Sequence, residues 1–289
     1  MTLTRSSLMA RSANLLVGIL AVQRIALVHG LPAAADKFQL VGREDLSPDN
    51  FDLAPRQDIP DALAGFPSGP LNQLLRLFST LPQGAVALDA VGKIITPLTQ
   101  VLADAKGIDT TRNDLASGAP CAAVTVVFAR GTTEPGNVGL FAGPPFFDAL
   151  SEQLGGSSLS VQGVEYPATF ASFNRNGTDG VPSMTKFINQ ALNNCPNTKL
   201  VMSGYSQGAL VVRSTAASLP AATMAKVNSV VTFGDPGNPG TITGAQDKTL
   251  IICHENDSVC QGGFITVDHL TYADDASTAA AFVLQKAGI

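Results

Sequence analysis

The chain has 289 residues, 45% of them hydrophobic and only 14% charged, with a formal net charge of −5. That apolar fraction suffices for a packed core and excludes global disorder, and the length allows one large domain or a domain with a sizeable extension. The acidic balance argues against a nucleic-acid partner and against a basic membrane-docking face.

Arg5 and Arg11 flank a short apolar run at 14–22, which Gln23 and Arg24 interrupt before the small residues at 33–35. This is the pattern of a cleaved secretory signal over residues 1–35, cut between about residues 28 and 36. The run is too short to cross a membrane, so a secreted, extracellular protein without a transmembrane anchor is expected. Residues 36–60 are polar and carry Pro48, Pro55 and Pro60, as an exposed linker or prosegment does. Leu71, Leu74, Leu75, Phe78 and Leu81 then recur at helical spacing, and Ala87, Val91, Ile94, Ile95, Leu98, Val101 and Leu102 form a second series. Residues 36–115 therefore read as a prosegment or linker followed by an amphipathic helical hairpin. Pro97 is expected to kink or break its second helix.

From about residue 120 the pattern changes. Residues 122–129 are a β-branched run, apolar at nearly every position, as a strand buried on both faces requires. Helix and strand patterns alternate after it: helix 145–154, strand 159–166, helix 182–193, strand 199–203 and helix 207–219. Strands at 229–233 and 250–253 follow, then a final helix at about 275–286. The fold class is α/β, a three-layer α/β/α sandwich around a central, mainly parallel sheet.

Chemistry in such sheets gathers at the carboxyl ends of the strands. The strand at 199–203 runs into Gly204-Tyr205-Ser206-Gln207-Gly208, a G-x-S-x-G pattern. An apolar strand before it and an amphipathic helix after it make this a nucleophile elbow with Ser206 at its tip. A serine nucleophile needs a general base and an acid that orients the base. Of three histidines, His29 leaves with the signal, so His254 and His269 remain. The chain order Ser, Asp or Glu, His favours His269, because Asp257 lies between it and Ser206. For His254 the alternatives are Asp235 and Asp247.

These residues resemble the cutinase family of fungal serine esterases, from about Arg112 to the C-terminus. The likeness rests on Arg112-Asn113-Asp114-Leu115, the loop at 129–137, the elbow, Cys253-x-x-x-Asp257-x-Val259-Cys260, and His269-Leu270-x-Tyr272. The resemblance implies a small α/β-hydrolase-like sandwich without a large cap, spanning residues 116–289. It implies a triad of Ser206, Asp257 and His269, with an oxyanion hole formed by the backbone N–H and hydroxyl of Thr132 and the backbone N–H of Gln207. Serine is familiar at the Thr132 position; threonine keeps the hydroxyl and adds a methyl, so the role is expected to persist with altered steric access. The implied activity is hydrolysis of cutin-like polyesters and of short-to-medium acyl esters through an acyl-enzyme on Ser206. No metal or organic cofactor is implied, and a monomer acting on a polyester or lipid-like ester is expected. An acetylxylan esterase of the same fold is the alternative, and a catalytically inactive surface-binding or defence-triggering protein is a further one. Residues 36–110 lie outside the resemblance. A cleaved prosegment, a lid, a lipid-docking element and a hairpin merely packed on the catalytic domain remain open for them.

Four cysteines in a secreted chain read as two disulfides, and counting alone leaves three pairings. Cys121 precedes the first strand and Cys195 follows a helix returning from the carboxyl edge, so both belong at the amino edge of the sheet. Cys253 and Cys260 belong at the carboxyl edge. The expected pairs are Cys121–Cys195 and Cys253–Cys260, as the resemblance also implies. The 253–260 stretch lacks the ligand spacing and the second Cys/His pair of a structural zinc site, so no metal is expected there. His254 and Glu255 are read as polar loop residues. Asn176 and Asn256 both open sequons, and a glycan at Asn256 would crowd Asp257, leaving Asn176 as the expected acceptor. Phe264, Ile265 and Val267, close to His269, are expected to form an acyl-chain wall or surface-contact flap, with core packing as the alternative. An apolar flap favours aliphatic esters over a carbohydrate surface. Asp268 is left out of the triad, because a sequence neighbour rarely reaches the far nitrogen of the imidazole.

Overall fold

The computed structural model describes residues 59–82 and 85–289. The expected signal, and all but the end of the polar segment after it, lie outside the described residues. In chain order the elements are α1 (Ser68–Ser79), α2 (Ala85–Lys106), β1 (Val124–Ala129), α3 (Gly143–Gln153), β2 (Leu159–Gly163), α4 (Phe170–Phe173) and α5 (Val181–Asn194). They continue with β3 (Lys199–Tyr205), α6 (Gln207–Ser218), α7 (Ala221–Met224), β4 (Ser229–Phe233), β5 (Thr249–Ile252) and α8 (Ala276–Ala287).

The strands form one parallel sheet in the order β2-β1-β3-β4-β5. β1 is buried at every position, and its alternation sorts the two layers that cover it. Val124, Val126 and Phe128 join one core with α1, α2, α3 and α8; Val127 and Ala129 join the other with α5 and α6. The result is the three-layer α/β/α sandwich. β2 stops at Gly163 instead of running to residue 166. The Glu165 N–H turns to Ser183 Oγ at 2.9 Å, and Pro167 has no N–H to offer a ladder. The short helices α4 and α7 have too few residues to show a helical period and were not expected.

The hairpin packs as part of the same body. Leu71, Leu74, Phe78, Ile95 and Leu102 are buried in the core that also holds Tyr205, Leu270 and Tyr272. Each such side chain contributes roughly 1.5–3 kcal/mol by burial. Pro97 does not break α2, which continues through it to Lys106. Pro97 itself faces solvent. Ile95 and Leu102, fully buried on either side of it, hold the helix on the core despite the lost N–H.

Candidate active site

Ser206 sits at the end of β3 with φ 55° and ψ −119°, a left-handed conformation that a non-glycine residue rarely adopts. Its N–H donates to the carbonyl of Phe233 in the neighbouring strand at 2.9 Å, which fixes the turn. The elbow is tight enough to require its glycines. A Cβ at Gly204 would stand 2.3 Å from the Gly208 carbonyl oxygen, and one at Gly208 would stand 1.9 Å from the Ala129 carbonyl oxygen. The backbone crowding thus explains the G-x-S-x-G pattern residue by residue.

Asp257 and His269 come from the loops after β5. Asp257 starts the 3-10 turn Ser258–Gln261, and its Oδ1 accepts the Val259 N–H at 3.0 Å. The Cys253–Cys260 disulfide closes the same loop, and Thr266 Oγ1 donates across it to the Asn256 carbonyl at 3.0 Å. His269 lies in the 3-10 turn Val267–Leu270 with Nδ1 2.7 Å from Asp257 Oδ2. Both side chains are almost fully buried. Burial works against the Asp257 carboxylate, yet the His269 hydrogen bond and charge, the Tyr272 hydroxyl and the Val259 N–H outweigh it. The carboxyl is held below its ordinary pKa. Nε2 of His269 is buried without a hydrogen-bond partner. It therefore makes no hydrogen bond to Ser206 Oγ, and bonds of that kind often tighten only around substrate.

Thr132 follows β1 and faces the elbow: its hydroxyl donates to Gln207 Oε1 at 3.1 Å. Gln207 is the first residue of α6, where a backbone N–H has no carbonyl one turn earlier to bond, while the Ala209 N–H is taken by the Ser206 carbonyl at 2.9 Å. Several supporting residues were not singled out from the sequence. The Glu134 carboxylate accepts the N–H groups of Gly131 (2.7 Å), Leu140 (2.8 Å) and Phe141 (2.9 Å), folding the Thr132 loop around itself. Burial pushes its pKa up, opposed by those amides and by Arg130. Its signal was a lone acid inside an otherwise uncharged, glycine-rich loop after Arg130. Tyr205 packs its ring against His269 with centroids 5.0 Å apart, and donates its hydroxyl to the His269 carbonyl at 2.6 Å. Gly234, at φ 53°, leaves room for the imidazole, since a Cβ there would stand 2.7 Å from His269 Cε1.

Above this constellation lies the hairpin. Phe78 of α1 and Thr99 of α2 line a cavity with Ser206, His269, Ile265 and Thr132, and its volume is only about 10 Å³. That is the lower limit for one water molecule. Ser206 is 5% exposed. Thr99 Oγ1 reaches the Thr133 carbonyl at 3.5 Å, and Asp89 Oδ1 accepts the Ala171 N–H at 3.3 Å, so polar contacts also hold α2 down.

The other expected residues fall as follows. Ile265 borders the cavity, Val267 is half-buried against the core, and Phe264 is 68% exposed. The disulfides are Cys121–Cys195 and Cys253–Cys260. Asn176 and Asn256 are both exposed. His254 is tied into the loop instead of standing free, with Nε2 2.5 Å from Asp275 Oδ2 and Nδ1 3.1 Å from the Asp268 carbonyl. Among the described residues no cluster of His, Cys, Asp and Glu is arranged to hold a metal ion. A larger concavity of about 550 Å³, bordered by Lys199, Lys226 and Lys248, lies at the amino edge of the sheet and carries none of this chemistry.

Comparison with known proteins gives concordant matches. The family described as Cutinase matches residues 120–287. A cutinase from Pyrenopeziza brassicae is 48% identical over 201 residues, 68% of this chain and 97% of the relative. The structure of a Trichoderma reesei cutinase in complex with a phosphonate inhibitor matches with a TM-score of 0.66 at 44% identity, over 75% of this chain and 99% of that one. An acetylxylan esterase matches with a TM-score of 0.50 at 23% identity, over 58% of this chain and 100% of that one, a likeness of fold alone.

Proposed function

The chain belongs to the cutinase family, and from that premise we propose that it is a secreted serine esterase, hydrolysing cutin-like polyesters and short-to-medium acyl esters. The observation that carries this reading is the Asp257–His269 pair at 2.7 Å beside a strained serine elbow, at the carboxyl edge of the sheet. Ser206 Oγ attacks the ester carbonyl carbon while His269 Nε2 takes its proton. The oxyanion is held by Thr132 and by the Gln207 N–H. The C–O bond then breaks, the alcohol leaves with the proton from His269, and the acyl group stays on Ser206. Water, deprotonated by His269, attacks that acyl group, and the acid departs with Ser206 regenerated. Asp257 stays ionised throughout and orients the imidazole.

The hairpin is read as a lid. A cavity of about 10 Å³ is too small for an acyl chain, so on this reading α1 and α2 move before ester reaches Ser206. The outer side of α2 exposes Ile94 and Val101, seven residues apart and so on one face, and Phe264 is exposed on the loop that carries Ile265. These apolar side chains suit contact with an ester surface, where burying them would favour the open state. Ile265 and Val267 would then line the acyl chain. No helix among the described residues is long and apolar enough to cross a membrane. Two disulfides and the N-terminal apolar run support secretion, Asn176 is exposed and lies away from Asp257 in sequence, which favours it over Asn256 as the glycan acceptor, and a monomer suffices for the chemistry.

The purified protein should hydrolyse emulsified esters and cutin in preference to acetylated xylan, with a steep rise in rate when a soluble ester is emulsified. Ser206→Ala should abolish hydrolysis. Activity surviving that substitution removes the serine mechanism, and preference for acetylxylan removes the substrate assignment.

A further inference from the structure

Asp257 Oδ2 accepts two hydrogen bonds, from His269 Nδ1 at 2.7 Å and from the Tyr272 hydroxyl at 2.6 Å. Tyr272 follows His269 by three residues, so one short segment delivers both donors to a single carboxylate oxygen. Tyr272 is fully buried. Water cannot replace its hydroxyl, whose other protein contacts are the His254 N–H at 3.3 Å and the Cys260 sulfur at 3.7 Å. The ring is also clamped. His254 stacks on its face with centroids 4.3 Å apart and 22° between planes. His254 in turn is held at both nitrogens, by Asp275 at 2.5 Å and by the Asp268 carbonyl and Thr271 Oγ1 at 3.1 Å each.

We propose that Tyr272 is a positioning residue of the esterase, with His254 as the plate that locks its ring. Tyr272 fixes the Asp257 carboxylate and draws charge from it, and so sets how strongly that carboxylate holds the proton on His269. The proposal rests on the triad reading above. Without the phenol, Oδ2 keeps one donor and its charge concentrates on the His269 Nδ1–H. The imidazolium is then stabilised, and the carboxylate is freer to rotate away from the attack geometry. Both effects act through Asp257 and leave substrate binding alone.

Tyr272→Phe keeps the ring and the stack and removes only the hydroxyl. On a short soluble ester we expect kcat to fall about tenfold with KM little changed, a loss consistent with one hydrogen bond to a charged group. The acidic limb of the kcat/KM–pH profile should move to higher pH, and the His269 Nδ1 proton should shift downfield in NMR. His254→Ala, which spares the hydroxyl but removes the plate, should move both readouts in the same direction by a smaller amount. Lost activity with an unmoved pH limb and an unmoved proton resonance makes Tyr272 merely structural and overturns the proposal, as does unchanged activity. Ser206→Ala run alongside separates the two readings: hydrolysis that survives it overturns the triad and this proposal together. Hydrolysis abolished by it, with Tyr272→Phe silent, overturns this proposal alone.

Discussion

Phe78 of α1 and Ser206 of the elbow wall the same cavity of about 10 Å³, so a phenyl ring of the hairpin borders the space over the nucleophile, as the proposed lid requires. Truncating that ring weakens the closed state without touching the catalytic groups. Removing a core phenyl typically costs about 3–5 kcal/mol of packing, and part of that cost falls on closure. When only the open fraction binds substrate, apparent affinity scales with that fraction. Phe78→Ala should therefore raise kcat/KM on a soluble short-chain ester by roughly tenfold while lowering the melting temperature. Emulsification should then add less than it does to the parent. A folded variant with unchanged or lower kcat/KM on the soluble ester contradicts the lid.

The Thr132 hydroxyl donates to Gln207 Oε1 at 3.1 Å, and in the proposed mechanism it turns from there toward the oxyanion. Loss of one oxyanion donor typically costs about 2.7–4 kcal/mol, or roughly 10²–10³ in kcat. Thr132→Val, which keeps the shape, should show that loss, and Thr132→Ser should recover most of the activity. Steady-state kinetics on the three proteins checks it; equal activity of the valine and serine variants removes the hydroxyl from the hole.

The two disulfides should separate stability from activity. In the chain-entropy account a crosslink stabilises more as the closed loop lengthens. Cys121–Cys195 spans 74 residues and Cys253–Cys260 only 7, which corresponds to roughly 4–5 and roughly 2–3 kcal/mol. The serine pair at 121 and 195 should therefore cost more melting temperature and leave the turnover of folded protein intact. The serine pair at 253 and 260 should cost less stability but at least about tenfold in kcat, because it frees the loop that aims Asp257. Thermal melts paired with active-site titration distinguish the two outcomes.

Much of this architecture is legible in the sequence because burial on both sides writes an unmistakable signature. The apolar β-branched run at 124–129 and the alternation of strands and helices after it give the sheet, and the glycines flanking Ser206 give the elbow. Scarcity helps as well: with so few histidines, chain order alone brings His269 and Asp257 forward. What stays hidden depends on distance in three dimensions. Pro97 looks like a helix breaker until the burial of Ile95 and Leu102 on the core is known. The hairpin's two apolar series do not say that Phe78 ends above Ser206. Glu134 and Tyr205 act through contacts with backbone or with other side chains that no local pattern encodes, and the 269–272 motif includes Tyr272 without saying that its hydroxyl meets Asp257.

Gly234 is the clearest case of a residue whose role is invisible in sequence yet sharply defined in space. It follows β4 at φ 53°, where an L side chain is strained by roughly 1–2 kcal/mol. A Cβ there would stand 2.7 Å from His269 Cε1 and 2.9 Å from its Nδ1, and also 2.9 Å from Tyr272 Cε2. The imidazole cannot absorb that intrusion, because Tyr205 lies against it and Asp257 holds its Nδ1. Gly234→Ala must therefore push His269 out of line or flatten the turn after β4. Displacing a catalytic group by about 1 Å can cost on the order of 10² in rate. The expected result is a folded enzyme, modestly destabilised, with kcat down about a hundredfold and KM for a small ester nearly unchanged. Wild-type kcat in Gly234→Ala would mean that His269 has more freedom than this packing allows.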